Sequence, residues 1–186
     1  MHYLHKILVH IPSAINKHEI ASKEELLDKI ITYAQSETER FDGIAFDWRD
    51  VDSAGGWTDE YPQQAYIAAD NLEWFINELR EVVELQRKEI DYYLNFIQEA
   101  ANDNLAVLSD NLWKRGSPHA DFNNNYRDDT IAYYLLSLAK HLYGEYRFNS
   151  YFYNTYNSTA RLYEIDFEMI KRSPGDWALV MFDYHY

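Results

Sequence analysis

Two apolar runs near the ends of the chain constrain its fold more than any other feature. Tyr3–Ile11 reads YLHKILVHI, and Trp177–Tyr186 reads WALVMFDYHY. The first carries apolar residues on both faces, as a central strand does, and Pro12 closes it. The second is the closing strand. Between them the apolar spacing is mostly helical. Strands at both ends with helices concentrated between them predict an α+β fold. The expected architecture is one domain over residues 1–186. Its single mixed, mostly antiparallel sheet uses the N- and C-terminal strands, and helices including one long central helix cover it.

Local signals fill in this frame. Ser22-Lys23-Glu24-Glu25 is a capping box, in which the serine oxygen and a glutamate carboxylate satisfy orphan amides. Leu26, Leu27, Ile30, Ile31 and Ala34 then make one helical stripe, which fades near Glu39. Gly43–Trp48 reads as a second strand and Val51–Thr58 as a Gly-broken loop. Gln64–Ala69 reads as a short strand. Asp70 with Glu73 predicts the cap of a helix over Asn71–Ala101. Its seam of Leu72, Ile76, Leu79, Val83, Gln86, Ile90, Tyr93 and Ile97 is heptad-like. A short helix is expected over Asn104–Trp113, and a polar loop over Arg115–Asp129. Thr130–Tyr143 reads as a helix stopped by Gly144. Ser150–Thr155 and Ala160–Tyr163 read as a short strand pair, followed by one or two helical turns in Ile165–Arg172 and a turn at Ser173–Asp176.

Composition narrows the function classes. The chain holds 31 acids against 17 bases, for a net charge of −14. Glu37–Asp103 carries seventeen of those acids and only five of the bases, whereas the other residues are nearly balanced. A field of one sign confined to a third of a protein repels nucleic acid and membranes and attracts basic surfaces. Direct nucleic-acid binding needs Lys and Arg to replace counterions, so it is not expected. The absence of cysteine excludes thiol chemistry and Cys-based zinc sites. No apolar run reaches the ~20 residues that cross a bilayer, and the first residues lack a signal-peptide pattern, so the expected location is cytoplasmic. Seventeen Tyr and five Trp serve a core with polar edges, or a binding surface.

No catalytic residue, metal site or cofactor is predicted. On one strand His2 and His10 share a face while His5 points the other way, so that strand alone assembles no metal site. A site using His10 with Asp183 or His185 of the closing strand is geometrically possible where those strands pair, against the alternative of sheet-edge or solvated histidines. Asp47, Arg49, Asp50 and Asp52 run into Ser53-Ala54-Gly55-Gly56-Trp57, an acidic strand end feeding a Gly-rich loop. Such a layout suits an active site or a cation, and equally a turn whose aspartates bind local amides. It matches neither the EF-hand nor the Walker pattern.

The candidate partner-binding residues are Asp47, Asp50, Asp52, Trp57, Glu73, Glu81, Glu84 and Asp91. Carboxylates arrayed on a folded surface resemble a line of phosphates, and Trp57 would supply an aromatic anchor. On the long helix, Arg80–Glu84, Glu84–Lys88 and Arg87–Asp91 are i,i+4 pairs worth only ~0.3–0.5 kcal/mol each, the pattern of a solvated face.

Four blocks carry a resemblance: His2–Ile11, Phe46–Pro62 (FDWRDVDSAGGWTDEYP), Leu142–Tyr156 (LYGEYRFNSYFYNTY) and Asp176–Tyr184 (DWALVMFDY). They resemble uncharacterised accessory proteins of conjugative elements in Gram-positive bacteria. Such elements also carry acidic anti-restriction proteins that mimic DNA. The resemblance implies a mobile-element or anti-defence role and assigns no residue.

Three readings follow. The first is an acidic, non-enzymatic interaction protein: a DNA mimic or immunity-type inhibitor of a basic nucleic-acid-binding protein such as a nuclease or restriction enzyme. The second is a small enzyme or a ligand- or metal-binding domain with its site near Asp47–Trp57 and the C-terminal strand. The third is a homodimer scaffold built on the heptad seam.

Overall fold

A computed structural model of the chain describes residues 2–15, 20–50, 52–101, 131–147 and 151–185. The helix expected at Asn104–Trp113 and the loop expected at Arg115–Asp129 lie outside the described residues.

The fold is α+β, with a five-stranded mixed sheet. Strand β1 (His2–His10) is central, because its apolar residues alternate onto two covered faces. Helix α1 (Lys23–Thr38) starts where the capping box places it. Ser22 Oγ accepts from the Glu25 amide at 3.2 Å, and Glu25 Oε2 accepts from the Ala21 amide at 3.0 Å. Short strands β2 (Trp48–Asp50) and β3 (Ala65–Ile67) precede α2 (Leu72–Ala101). Helix α3 (Ile131–Tyr143) stops at Gly144, whose φ of +78° ends a helix without strain. Strand β4 (Phe152–Asn154), α4 (Phe167–Arg172) and β5 (Trp177–His185) complete the fold.

Strand β5 is the hub of the sheet. It runs antiparallel to β1 over its whole length, from His2 opposite His185 to His10 opposite Trp177. Its other edge is shared by β2, which pairs with Asp183–His185, and β3, which pairs with Ala178–Val180. Strand β4 adds to β1 in parallel. The two faces of the sheet bury separate cores, as strand alternation requires. Ile7, Val9, Val180, Phe182 and Tyr184 pack with Ile30 and Ala34 of α1. Leu8, Leu179 and Met181 pack with Phe75, Ile76, Leu79 and Val82 of α2.

Three local expectations are corrected. Gly43–Trp48 is not a strand. Gly43 takes a φ of +72° and donates to the Phe46 carbonyl at 2.7 Å, so the segment closes as a turn and β2 begins only at Trp48. Asn71, not Asp70, caps α2: its Oδ1 accepts from the Trp74 amide at 3.1 Å, while Asp70 pairs with Lys23 at 2.9 Å. Ala160–Tyr163 does not form a second strand. Only a bridge from Asn154 to Thr159 forms there, and a 3-10 turn at Leu162–Glu164 follows.

The chain divides into two compact units: Met1–Val83 with Gly144–Tyr186, and Glu84–Tyr143. The first contains the sheet. In the second, Phe96 stacks on Tyr134 with ring centroids 3.7 Å apart, and the hydroxyls of Tyr92 and Tyr134 lie 3.2 Å apart. The heptad seam is covered in part. Ile76, Leu79 and Gln86 are buried, and Leu72, Val83, Ile90, Tyr93 and Ile97 are half-buried. Among the described residues, no helix is long and apolar enough to cross a membrane.

Candidate functional site

The Gly-rich loop docks on the closing strand. Asp50 organises its first turn by accepting from the amides of Asp52 and Ser53 at 3.0 and 3.2 Å, and from Ser53 Oγ at 2.9 Å. Ser53 Oγ in turn accepts from the Gly55 amide at 3.0 Å. A 3-10 turn over Gly55–Trp57 then points the Gly56 amide at Asp183 Oδ2, 3.1 Å away. Trp57 is half-buried against the α2-side core, which anchors the far end of the loop.

Gly55 is required by two constraints at once. Its φ is +55°, and a Cβ there would fall 2.2 Å from Asp183 Oδ2. Gly55→Ala is therefore expected to destabilise the fold by about 2 kcal/mol through backbone strain and displacement of Asp183. A urea midpoint unchanged from wild type would refute that role.

Asp183 has a second partner. His2 Nδ1 lies 3.1 Å from its Oδ1, with the carboxylate buried and the imidazole exposed. Beside it, His185 Nδ1 lies 2.8 Å from Asp47 Oδ1. The hydrogen bond from His185 holds the Asp47 carboxyl below its usual range. The two imidazoles sit opposite each other across β1 and β5, with centroids 5.3 Å apart and rings tilted by 68°. Trp48 closes one side, 6.0 Å from His2. An open cavity of about 220 Å³ lined by Gly43, Ile44, Phe46 and Asp47 adjoins this end of the sheet.

The combination of His10 with Asp183 or His185, which strand pairing left open, does not form. Antiparallel pairing carries His10 to Trp177, at the other end of β5, and brings His2 to His185 instead. Among the described residues, no group of three or more His, Asp or Glu is placed to hold a metal ion.

The acidic candidates fall in separate settings. Asp47, Asp52, Glu73 and Glu81 are exposed in the first unit, and Glu84 and Asp91 are exposed in the second. Asp50 is half-buried and serves its loop. Glu73 lines a cavity of about 410 Å³ with Asn77, Arg80 and Lys171. Glu81 Oε2 lies 3.6 Å from Lys6 Nζ. Glu84 is 3.8 Å from Arg87 in an exposed pair of little energetic value.

Two interior polar groups escape the sequence pattern. Lys6 points from β1 into the α2-side core, where its Nζ meets Glu78 Oε2 at 2.5 Å. Tyr61 donates to the same carboxylate oxygen at 2.9 Å. Burial first, and then the Glu78 carboxylate, push the Tyr61 hydroxyl pKa far up, which fixes it as a donor. On the other face, His5 is buried among Phe46, Tyr146 and Tyr184, its Nδ1 3.3 Å from the Tyr146 hydroxyl. Burial drives the His5 pKa well down, so the ring is neutral. A lone lysine inside an apolar strand run, and a glutamate one position off the helical seam, are the signals that point to the first of these.

Comparison with protein-family models, with curated proteins and with solved structures finds no match.

Proposed function

We propose that this chain is an acidic, non-enzymatic interaction protein that covers the basic nucleic-acid-binding face of a partner, as a DNA mimic or immunity-type inhibitor does. The observation that carries this reading is the placement of the excess charge. The acid-rich Glu37–Asp103 stretch puts Asp47, Asp52, Asp59, Glu60, Glu73, Glu81, Glu84 and Asp91 at exposed positions. Among the described residues, few strong cations answer them. Lys6 lies 3.6 Å from Glu81 and Arg87 pairs with Glu84, while Lys23 pairs with Asp70, Arg49 with Asp42, and Arg80 Nη1 binds Asn77. Exposed carboxylates raise the rate of encounter with a basic surface and help to set its register. The resemblance to accessory proteins of conjugative elements supports an anti-defence setting.

The test is inhibition of DNA cleavage by bacterial nucleases and restriction enzymes. The wild-type protein is expected to inhibit at least one of them, with inhibition weakening as salt rises and competed by added DNA. Glu73→Gln, Glu81→Gln, Glu84→Gln and Asp91→Asn together are expected to weaken inhibition by roughly tenfold or more and to flatten its salt dependence. Equal inhibition by wild type and the fourfold variant would exclude these carboxylates from the interface.

A further inference from the structure

We propose that His2 and His185 form a binding site for a single divalent transition-metal ion of the zinc type, with both imidazoles as ligands through Nε2 and water completing the coordination. The inference begins from strand register. His2 and His185 are directly opposed across the antiparallel β1–β5 pair. Opposed residues project from the same face of a sheet, close enough for their side chains to share a ligand.

Tautomer selection comes next. Each ring is held at Nδ1 by a carboxylate oxygen, His2 by Asp183 at 3.1 Å and His185 by Asp47 at 2.8 Å. A carboxylate at Nδ1 keeps the proton on that nitrogen and leaves the lone pair on Nε2. It also makes that lone pair a better metal donor, as the outer-shell carboxylates of histidine–zinc sites do. Two adjacent imidazoles here carry that arrangement, each with its own carboxylate.

The spacing of the rings leaves room for the ion. A metal about 2.0–2.1 Å from each Nε2 and in each ring plane lies about 3.2 Å from each ring centroid, so a tetrahedral ligand angle sets the centroids about 5.2 Å apart. The observed separation is 5.3 Å. Imidazole ligands favour zinc, copper or nickel over magnesium or calcium, which take oxygen ligands. Access is open, since the His2 and His185 side chains are 57% and 40% exposed. One side of the site is also braced: Asp183 is buried and fixed by the Gly56 amide as well as by His2, so the carboxylate behind His2 is set before any ion arrives.

Titration calorimetry with zinc chloride at neutral pH tests this directly. Wild type is expected to take up one Zn²⁺ at this site. His2→Gln and His185→Gln are each expected to weaken that binding by about tenfold or more, and Asp47→Asn by several-fold. No saturation by about 1 mM Zn²⁺ would overturn the proposal. So would binding that survives either histidine substitution, because the ion would then sit on other residues. If a variant fails to fold, histidine side-chain NMR of the wild-type protein decides. Zinc-induced shifts confined to His2 and His185 support the site, and shifts that spare either one reject it.

Discussion

Lys6→Met is expected to destabilise the protein by about 3–5 kcal/mol, the range for a buried charge deprived of its partner. Lys6 and Glu78 are both nearly inaccessible, and their pair is closed at 2.5 Å. Without the ammonium, the Tyr61 hydroxyl is, among the described residues, the strong donor left to the Glu78 carboxylate. The fold must then bury a bare charge or bind a proton. Glu78→Leu is expected to cost less, because Glu81, 3.6 Å from the Lys6 ammonium, is exposed and free to swing toward it. The double variant Lys6→Met/Glu78→Leu is expected to recover most of the loss, since apolar side chains of similar volume replace a buried ion pair with little penalty. Urea unfolding of the four proteins closes the double-mutant cycle. Additive losses would mean that the two side chains are not coupled, and the buried pair would lose its structural role.

The second large effect is acid sensitivity through two histidines buried without charge. Burial lowers the pKa of His5 well below the ordinary value of 6.5 and that of His141 to about 4. Glu89 lies 3.3 Å from His141 and would favour its charged form, but burial prevails. Above about pH 6.5 both rings are neutral in the folded and the unfolded chain, and the stabilisation is fully present. As the pH falls below 6.5 the unfolded chain takes up protons first, so stability drains away. The His141 share is lost by about pH 4, and the His5 share continues further down. For His141 alone the loss is roughly 3 kcal/mol, at about 1.4 kcal/mol for each tenfold difference in proton affinity between the folded and unfolded chain. Urea midpoints measured from pH 7.5 to 4 are expected to fall steeply. His5→Phe and His141→Leu are each expected to flatten that fall, relative to wild type, whatever they do to stability at neutral pH. Parallel curves would show that carboxylates, not these histidines, set the response.

The elements the sequence declared most clearly are those whose cause is local. The Ser22 cap, the stripe of α1 and the seam of α2 depend on neighbours within a turn or two. The end strands were legible because a sheet covered on both faces leaves a run of apolar residues that few other structures would use. Gly43–Trp48 misled because GIAFDW has strand composition, while the backbone there is set by Gly43 at positive φ. Asp70 and Asn71 are both good caps, and a tertiary contact from Lys23 to Asp70 separates them.

The candidate site was legible in its parts and not in its assembly. The Asp47–Trp57 loop and the closing strand stood out in the sequence as two pieces of one candidate site. Their meeting point, Asp183 with the Gly56 amide and His2, depends on which way β1 runs against β5. Alternation tells which face a residue occupies and not which partner stands opposite. The opposite direction of pairing would have carried His10, not His2, to the neighbourhood of His185. Lys6 and Glu78 were hidden for a related reason: each violates its own local pattern, and only the other explains it.

The role of β5 as hub has a consequence for how the molecule comes to exist. His2 and Asp183 touch across 181 positions of sequence, and β1, β2 and β3 all take their main partner from Trp177–His185. Contacts of such long range close a very large loop before they return any stabilisation, which slows folding. Both partners of β1, β4 and β5, come from the far side of the long helical region, so neither edge of β1 can be paired by its sequence neighbours. Until the sheet closes, an apolar strand with unpaired edges is the kind of surface that other chains can join.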